Sequence, residues 1–124
     1  MTLEELYANM GGNYEHAKQI MKMDKLIDKY VRKLKNSDIK ARLASAFETM
    51  DAAQLFESAH AMKGVCGNLG LDDLAALADE ITEEFRPGNN CKMSEEEAKA
   101  KVQNALDMLQ KTLDCIEAYE QSAA

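Results

Sequence analysis

An all-α chain, built as an antiparallel four-helix bundle with one or two additional short N-terminal helices, follows from three features of this sequence. Apolar residues recur at three- and four-residue intervals along most of its length, the period of a helix with one buried face. No stretch alternates strictly between apolar and polar residues as a half-buried strand does, and proline occurs once, at Pro87. Capping residues and glycines interrupt the helical period at short intervals. The connections are therefore short, and each helix must bury its one stripe against its neighbours.

Thr2-Leu3-Glu4-Glu5 is a capping box, in which Thr2 bonds an orphan amide and Glu5 reaches back. The short helix it opens carries Leu3, Leu6, Tyr7 and Met10, and Gly11-Gly12 stops it. Asn13 caps a second short segment that runs to about Met21. Asp24 opens a helix with Leu26, Ile27, Tyr30, Val31 and Leu34 on one side, and Ser37 is expected to cap the next, whose stripe is Ile39, Leu43, Ala46, Phe47 and Met50. Asp51 begins a helix that ends near Gly70. Asp72 and Asp73 lie at the positive end of the following helix. That helix buries Leu74, Ala78, Ile81 and Phe85 and breaks at Pro87-Gly88-Asn89-Asn90. Ser94-Glu95-Glu96-Glu97, a second capping box, opens the longest helix, with the stripe Ala98, Val102, Ala105, Leu106, Leu109, Leu113 and Ile116. The two short N-terminal helices are expected to cap the bundle.

The 124 residues suit one domain spanning residues 1–124, long enough for a real core. A net charge of −7 excludes phosphate-backbone binding to nucleic acid, which needs clustered Lys and Arg. No apolar run approaches a membrane span, and Met1-Thr2-Leu3-Glu4-Glu5 lacks the basic-then-apolar order of a signal peptide, so a cytoplasmic protein is expected. Cys66, Cys91 and Cys115 form neither a disulfide framework nor a metal motif. Cys66 and Cys115 sit at apolar helical positions, as do most of the methionines, and read as core. Glu83-Glu84 and Glu95-Glu96-Glu97 read as solvated helix ends.

The chemistry lies in Ala59-His60-Ala61-Met62-Lys63-Gly64-Val65-Cys66-Gly67-Asn68-Leu69-Gly70. On a helical wheel Leu55, Ala59, Met62, Cys66 and Leu69 share one narrow sector. His60, Gly64 and Gly67 fall about 120–140° away from its middle, with Lys63 on their flank. A neutral imidazole has one free ring-nitrogen lone pair that can attack phosphorus. The phosphoryl group so attached is close to a dianion, and Lys63, one turn on, can sit over it as a point charge. Glycine inside a helix costs about 1 kcal/mol relative to alanine, and Gly64 and Gly67 clear room for another body to approach. His16 has no such neighbours and reads as a solvated or locally bonded surface histidine. No phosphate-binding loop, kinase-type glycine loop or dinucleotide fingerprint is visible, so the chain has no kinase machinery of its own. The phosphoryl group must come from a partner.

These twelve residues resemble the signature of histidine-containing phosphotransfer (HPt) domains of two-component phosphorelays, approximately A-H-x-x-K-G-x-x-x-x-L-G. Ala59, His60, Lys63, Gly64, Leu69 and Gly70 match it, and Asn68 is a common occupant of its place. Val65 stands where a small polar residue is frequent and Leu71 where alanine is common, departures that bear on which receiver fits. The resemblance implies a four-helix bundle with extra N-terminal helices, a phospho-accepting His60, a phosphoryl-stabilising Lys63 and a Gly64 that clears space for docking. The implied partner is a receiver domain of a response regulator or hybrid histidine kinase, whose aspartate exchanges the phosphoryl group with His60. Docking is expected on Gly64, Gly67, Phe56 and Asn68, with Phe56 either a contact or the edge of the core. No cofactor of the chain's own is expected, since the receiver would supply Mg2+. One His60 per chain needs no dimer, so a monomer is expected. Two other readings are an unphosphorylated adaptor that only binds receivers and a bundle that ligates a metal or haem through His60. The second lacks further inward-facing ligands.

Overall fold

The computed structural model describes residues 1–89 and 91–122. Asn90, the last residue of the expected break after Pro87, lies outside the described residues. The chain is all-α, with seven helices among the described residues: α1 (Leu3–Met10), α2 (Tyr14–Met21), α3 (Asp24–Lys35), α4 (Ile39–Thr49), α5 (Ala52–Asn68), α6 (Asp72–Glu84) and α7 (Glu95–Ser122). The bundle is α4 to α7. α5 packs on α4 and most extensively on α6, and α7 closes the ring against both α4 and α6. The short connections from α4 to α5 and from α5 to α6 make those neighbours antiparallel.

Three helices precede the bundle, α3 joining the one or two expected. The reason is the length of α7, whose 28 residues span about 42 Å at 1.5 Å per residue. Its first half faces α6, where Lys101 pairs with Glu80. Its second half extends beyond the shorter helices and offers α1 and α3 a surface on which to bury their own stripes. The α3 contact is polar at its edge. The Tyr119 hydroxyl donates to Asp28 at 2.5 Å, the Arg32 guanidinium lies 5.3 Å from the Tyr119 ring centre, and Glu120 pairs with Arg32 and Lys35.

The caps follow local chemistry. Thr2 and Glu5 complete their box, Asn13 accepts from the His16 amide, Asp51 from the Gln54 amide, and Ser94 from the Glu97 amide. Ser37 differs from expectation. Asp38 holds the N-cap position of α4 without a side-chain bond, and the Ser37 hydroxyl donates at 2.7 Å to the Leu34 carbonyl. The same hydroxyl oxygen accepts from the Ile39 amide at 3.5 Å, so it closes α3 and also meets the first residue of α4. Glu84 also departs from a solvated helix end. It is buried, and its carboxylate accepts from the backbone amides of Lys92 and Met93 at 3.1 and 3.0 Å, holding the chain where it returns toward α7.

The core runs through the expected stripes, including Leu43, Leu55, Met62, Leu69, Ile81, Val102, Leu109 and Ile116. The end of α5 is its most constrained point. The carbonyls of Leu69 and Gly70 would be orphans of a helix terminus; they accept from the Tyr7 hydroxyl at 2.6 Å and the Asn13 amide at 2.7 Å. α1 and α2 are thereby tied to the α5–α6 turn. Gly70 has φ +68°, and a Cβ there would stand 2.4 Å from the Asn13 carbonyl oxygen. His16, read from sequence as a solvated or locally bonded surface residue, places Nδ1 2.7 Å from an Asp72 carboxylate oxygen and joins α2 to the start of α6.

Gly70→Ala is expected to lower unfolding free energy by about 2–4 kcal/mol, from the left-handed backbone and the backbone clash together. Urea denaturation checks it, and an unchanged midpoint would remove Gly70 from this role. A second expectation concerns alkaline pH. Burial and the bond to Asp28 push the Tyr119 phenol from 10 up to about 12. The fold favours the protonated phenol, so this contribution is complete below pH 10 and is lost as pH rises through about 12. Urea melts of wild type and Tyr119→Phe across that window should show a shallower decline for the variant.

Candidate functional site

α5 is two-sided because one stripe must be buried. Leu55, Ser58, Ala59, Met62 and Cys66 face the core, the Ser58 hydroxyl donating to the Gln54 carbonyl. Burial alone pushes the Cys66 thiol up to about 12, which leaves it an inert core residue. With that stripe committed inward, His60 is exposed on the opposite side together with Gly64, Val65 and Asn68.

The imidazole has a defined neighbour. The half-buried Phe56 ring, one turn earlier, stacks on it with centroids 5.8 Å apart and planes 19° from parallel. The Arg86 guanidinium, from the segment just after α6, lies 5.4 Å from the centre of the same Phe56 ring. Lys63 points across to α6, where its ammonium is 2.8 Å from Asp79. Arg86 is held by Glu83 through two bonds of 2.7 and 3.0 Å. Those bonds hold the Glu83 carboxyl below its usual range, with the charges of Arg86, Lys63 and His60 acting on it as well. Lys63, one turn after His60, and Arg86, on the ring that stacks on His60, thus each carry a carboxylate partner.

Gly64 and Gly67 meet nothing. A Cβ built at either finds no atom within 4 Å. The fold does not require glycine there, so the space beside the imidazole is open. Asn68 lies on the far flank, where with Val65 it borders a groove of about 540 Å³ toward Ile20, Met21 and Tyr30 of α2 and α3. Among the large apolar side chains left exposed, Ile20, Tyr30 and Val65 all line this groove.

The structure therefore stacks Phe56 on His60, turns Lys63 to Asp79, leaves the space at Gly64 and Gly67 open, and sets Asn68 at the groove. Sequence reading missed Asp79, Glu83 and Arg86. A signal existed: an antiparallel hairpin turning at Gly70–Leu71 sets Lys63 opposite Ala78 and Asp79, and Asp79, Glu83 and Arg86 recur at helical spacing toward the end of α6. Among the described residues, no three His, Cys, Asp or Glu side chains are grouped to hold a metal ion, and no helix is long and apolar enough to cross a membrane.

Comparison with family models matches residues 33–112 to the Hpt domain. That span begins within α3 and holds α4 to α6, the first part of α7 and every residue of the His60 surround. No curated protein and no solved structure matches the chain.

Since nothing in the fold occupies the space at Gly64, Gly64→Ala should raise stability by about 1 kcal/mol through helix propensity alone. Thermal unfolding checks this, and a loss of stability would mean that the fold itself needs glycine there.

Proposed function

We propose, because this chain belongs to the Hpt domain family, that His60 is the residue on which it carries a phosphoryl group between receiver-domain aspartates. Family membership implies a phosphotransfer role in two-component systems and interaction with receiver domains. The observation that carries the assignment to His60 is its exposed imidazole beside Lys63 and beside two helix-interior glycines with empty space over them.

The chemistry is a group exchange. A ring-nitrogen lone pair attacks the phosphorus of the receiver's aspartyl phosphate as the P–O bond to the carboxylate breaks. The aspartate leaves as carboxylate, the other ring nitrogen keeps its proton, and the reverse sequence loads the next receiver. Such transfer depends on in-line positioning and charge neutralisation. Phe56 supports positioning by stacking on the ring, and Lys63 is the nearest cation on the same helix. The divalent metal and the acidic pocket belong to the receiver in this reading, and the chain needs no cofactor of its own.

Docking uses the face that runs from Phe56 and Lys63 past His60, Gly64 and Gly67 to Asn68. Beyond Asn68 the apolar groove at Val65, Ile20 and Tyr30 gives a receiver a surface to bury, as exposed apolar patches commonly do. Val65, where the family often has a small polar residue, enlarges this patch.

Incubation with a phosphorylated receiver should place acid-labile phosphate on wild type and none on His60→Gln; equal labelling of the two would end the proposal. Gly64→Gln should slow transfer by roughly ten- to a hundred-fold with helicity and melting nearly unchanged, because a side chain beside the imidazole displaces the partner.

A further inference from the structure

Lys63, one turn after His60, and Arg86, on the Phe56 ring that stacks on His60, are already engaged. Lys63 is 2.8 Å from Asp79, and Arg86 donates twice to Glu83. Lys63, Arg86, Asp79 and Glu83 sum formally to zero charge, so these two cations bring no net positive charge with them. The Arg86 bonds, followed by the charges of Arg86, Lys63 and His60, hold the Glu83 carboxyl low.

A phosphoryl group on His60 adds close to two negative charges. Lys63 and Arg86 keep N–H donors free for it, but their charge is already offset by Asp79 and Glu83, and those carboxylates then face a dianion. Both effects raise the free energy of the phosphorylated state relative to a surround with free cations. We infer that Asp79 and Glu83 tune how tightly the chain holds its phosphoryl group: by occupying Lys63 and Arg86 they keep the phosphohistidine labile and readily handed on. The inference rests on the reading of His60 as acceptor and deepens it. All four side chains are partly or fully exposed, so water and salt limit the effect to a few-fold.

The test uses the whole chain and phosphoramidate, which labels histidine without a receiver. Its P–N bond breaks, a P–N bond to the imidazole forms, and ammonia leaves. After removal of the donor, phosphorus NMR follows hydrolysis of the phosphohistidine, in which water attacks phosphorus and the imidazole departs. Asp79→Asn and Glu83→Gln should each lengthen the half-life by about two- to five-fold. Onward transfer to a receiver should slow by a similar factor, and Asp79→Glu should restore wild-type behaviour. The difference from wild type should shrink as salt rises, which a purely structural effect would not do. Half-lives equal to or shorter than wild type in both neutral variants would overturn the inference while leaving His60 as acceptor. Equal labelling of wild type and His60→Gln would instead overturn the acceptor assignment itself.

Discussion

The turn between α5 and α6 is the constraint on which the rest of the molecule depends. Its geometry is possible because Gly70 takes a left-handed backbone against the Asn13 carbonyl, and because Tyr7 and Asn13 satisfy the two carbonyls at the end of α5. That joint fixes the rotation of α5 about its own axis. With Leu55, Ala59, Met62 and Cys66 turned inward, the imidazole has no direction left but outward. The same joint fixes the register of α6, so that Asp79 meets Lys63. The N-terminal helices, which lie largely outside the matched family region, therefore contribute to the site without touching His60.

The twelve-residue motif divides by physical role along its length. Its first half exposes His60 and Gly64, with open space over Gly64, while Ala59 and Met62 of the same turns are buried. Its second half ends in a buried Leu69 and a Gly70 that no side chain can replace without moving α2. One segment thus carries both the chemistry and the fastening that aims it. Tight packing at one end and emptiness at the other are separate requirements, and each uses glycine for a different reason.

The helical period made the bundle legible, because stripes such as Leu43–Ala46 and Val102–Leu109 can be buried in only one way. The capping boxes and the outward histidine were legible for the same reason: they depend on neighbours within one turn. What escaped depends on contacts between segments. Asp79 and Arg86 gain meaning only once the hairpin register is known. Glu84 looked like a solvated acid until the returning chain laid the Lys92 and Met93 amides on it. His16 found Asp72 across a 56-residue separation that no local pattern marks. Ser37 lies between two helix ends and serves both, because one hydroxyl can donate to the end of α3 while accepting from the start of α4.

The two histidines of this chain sit in environments of opposite character. His16 is tied to a carboxylate at a helix junction, while His60 lies against a phenyl ring at the surface. The circulating electrons of that phenyl ring displace the resonances of the carbon-bound imidazole protons beside it. His60 thus carries an intrinsic magnetic label, and its state can be followed in the unmodified chain with no dye or isotope attached.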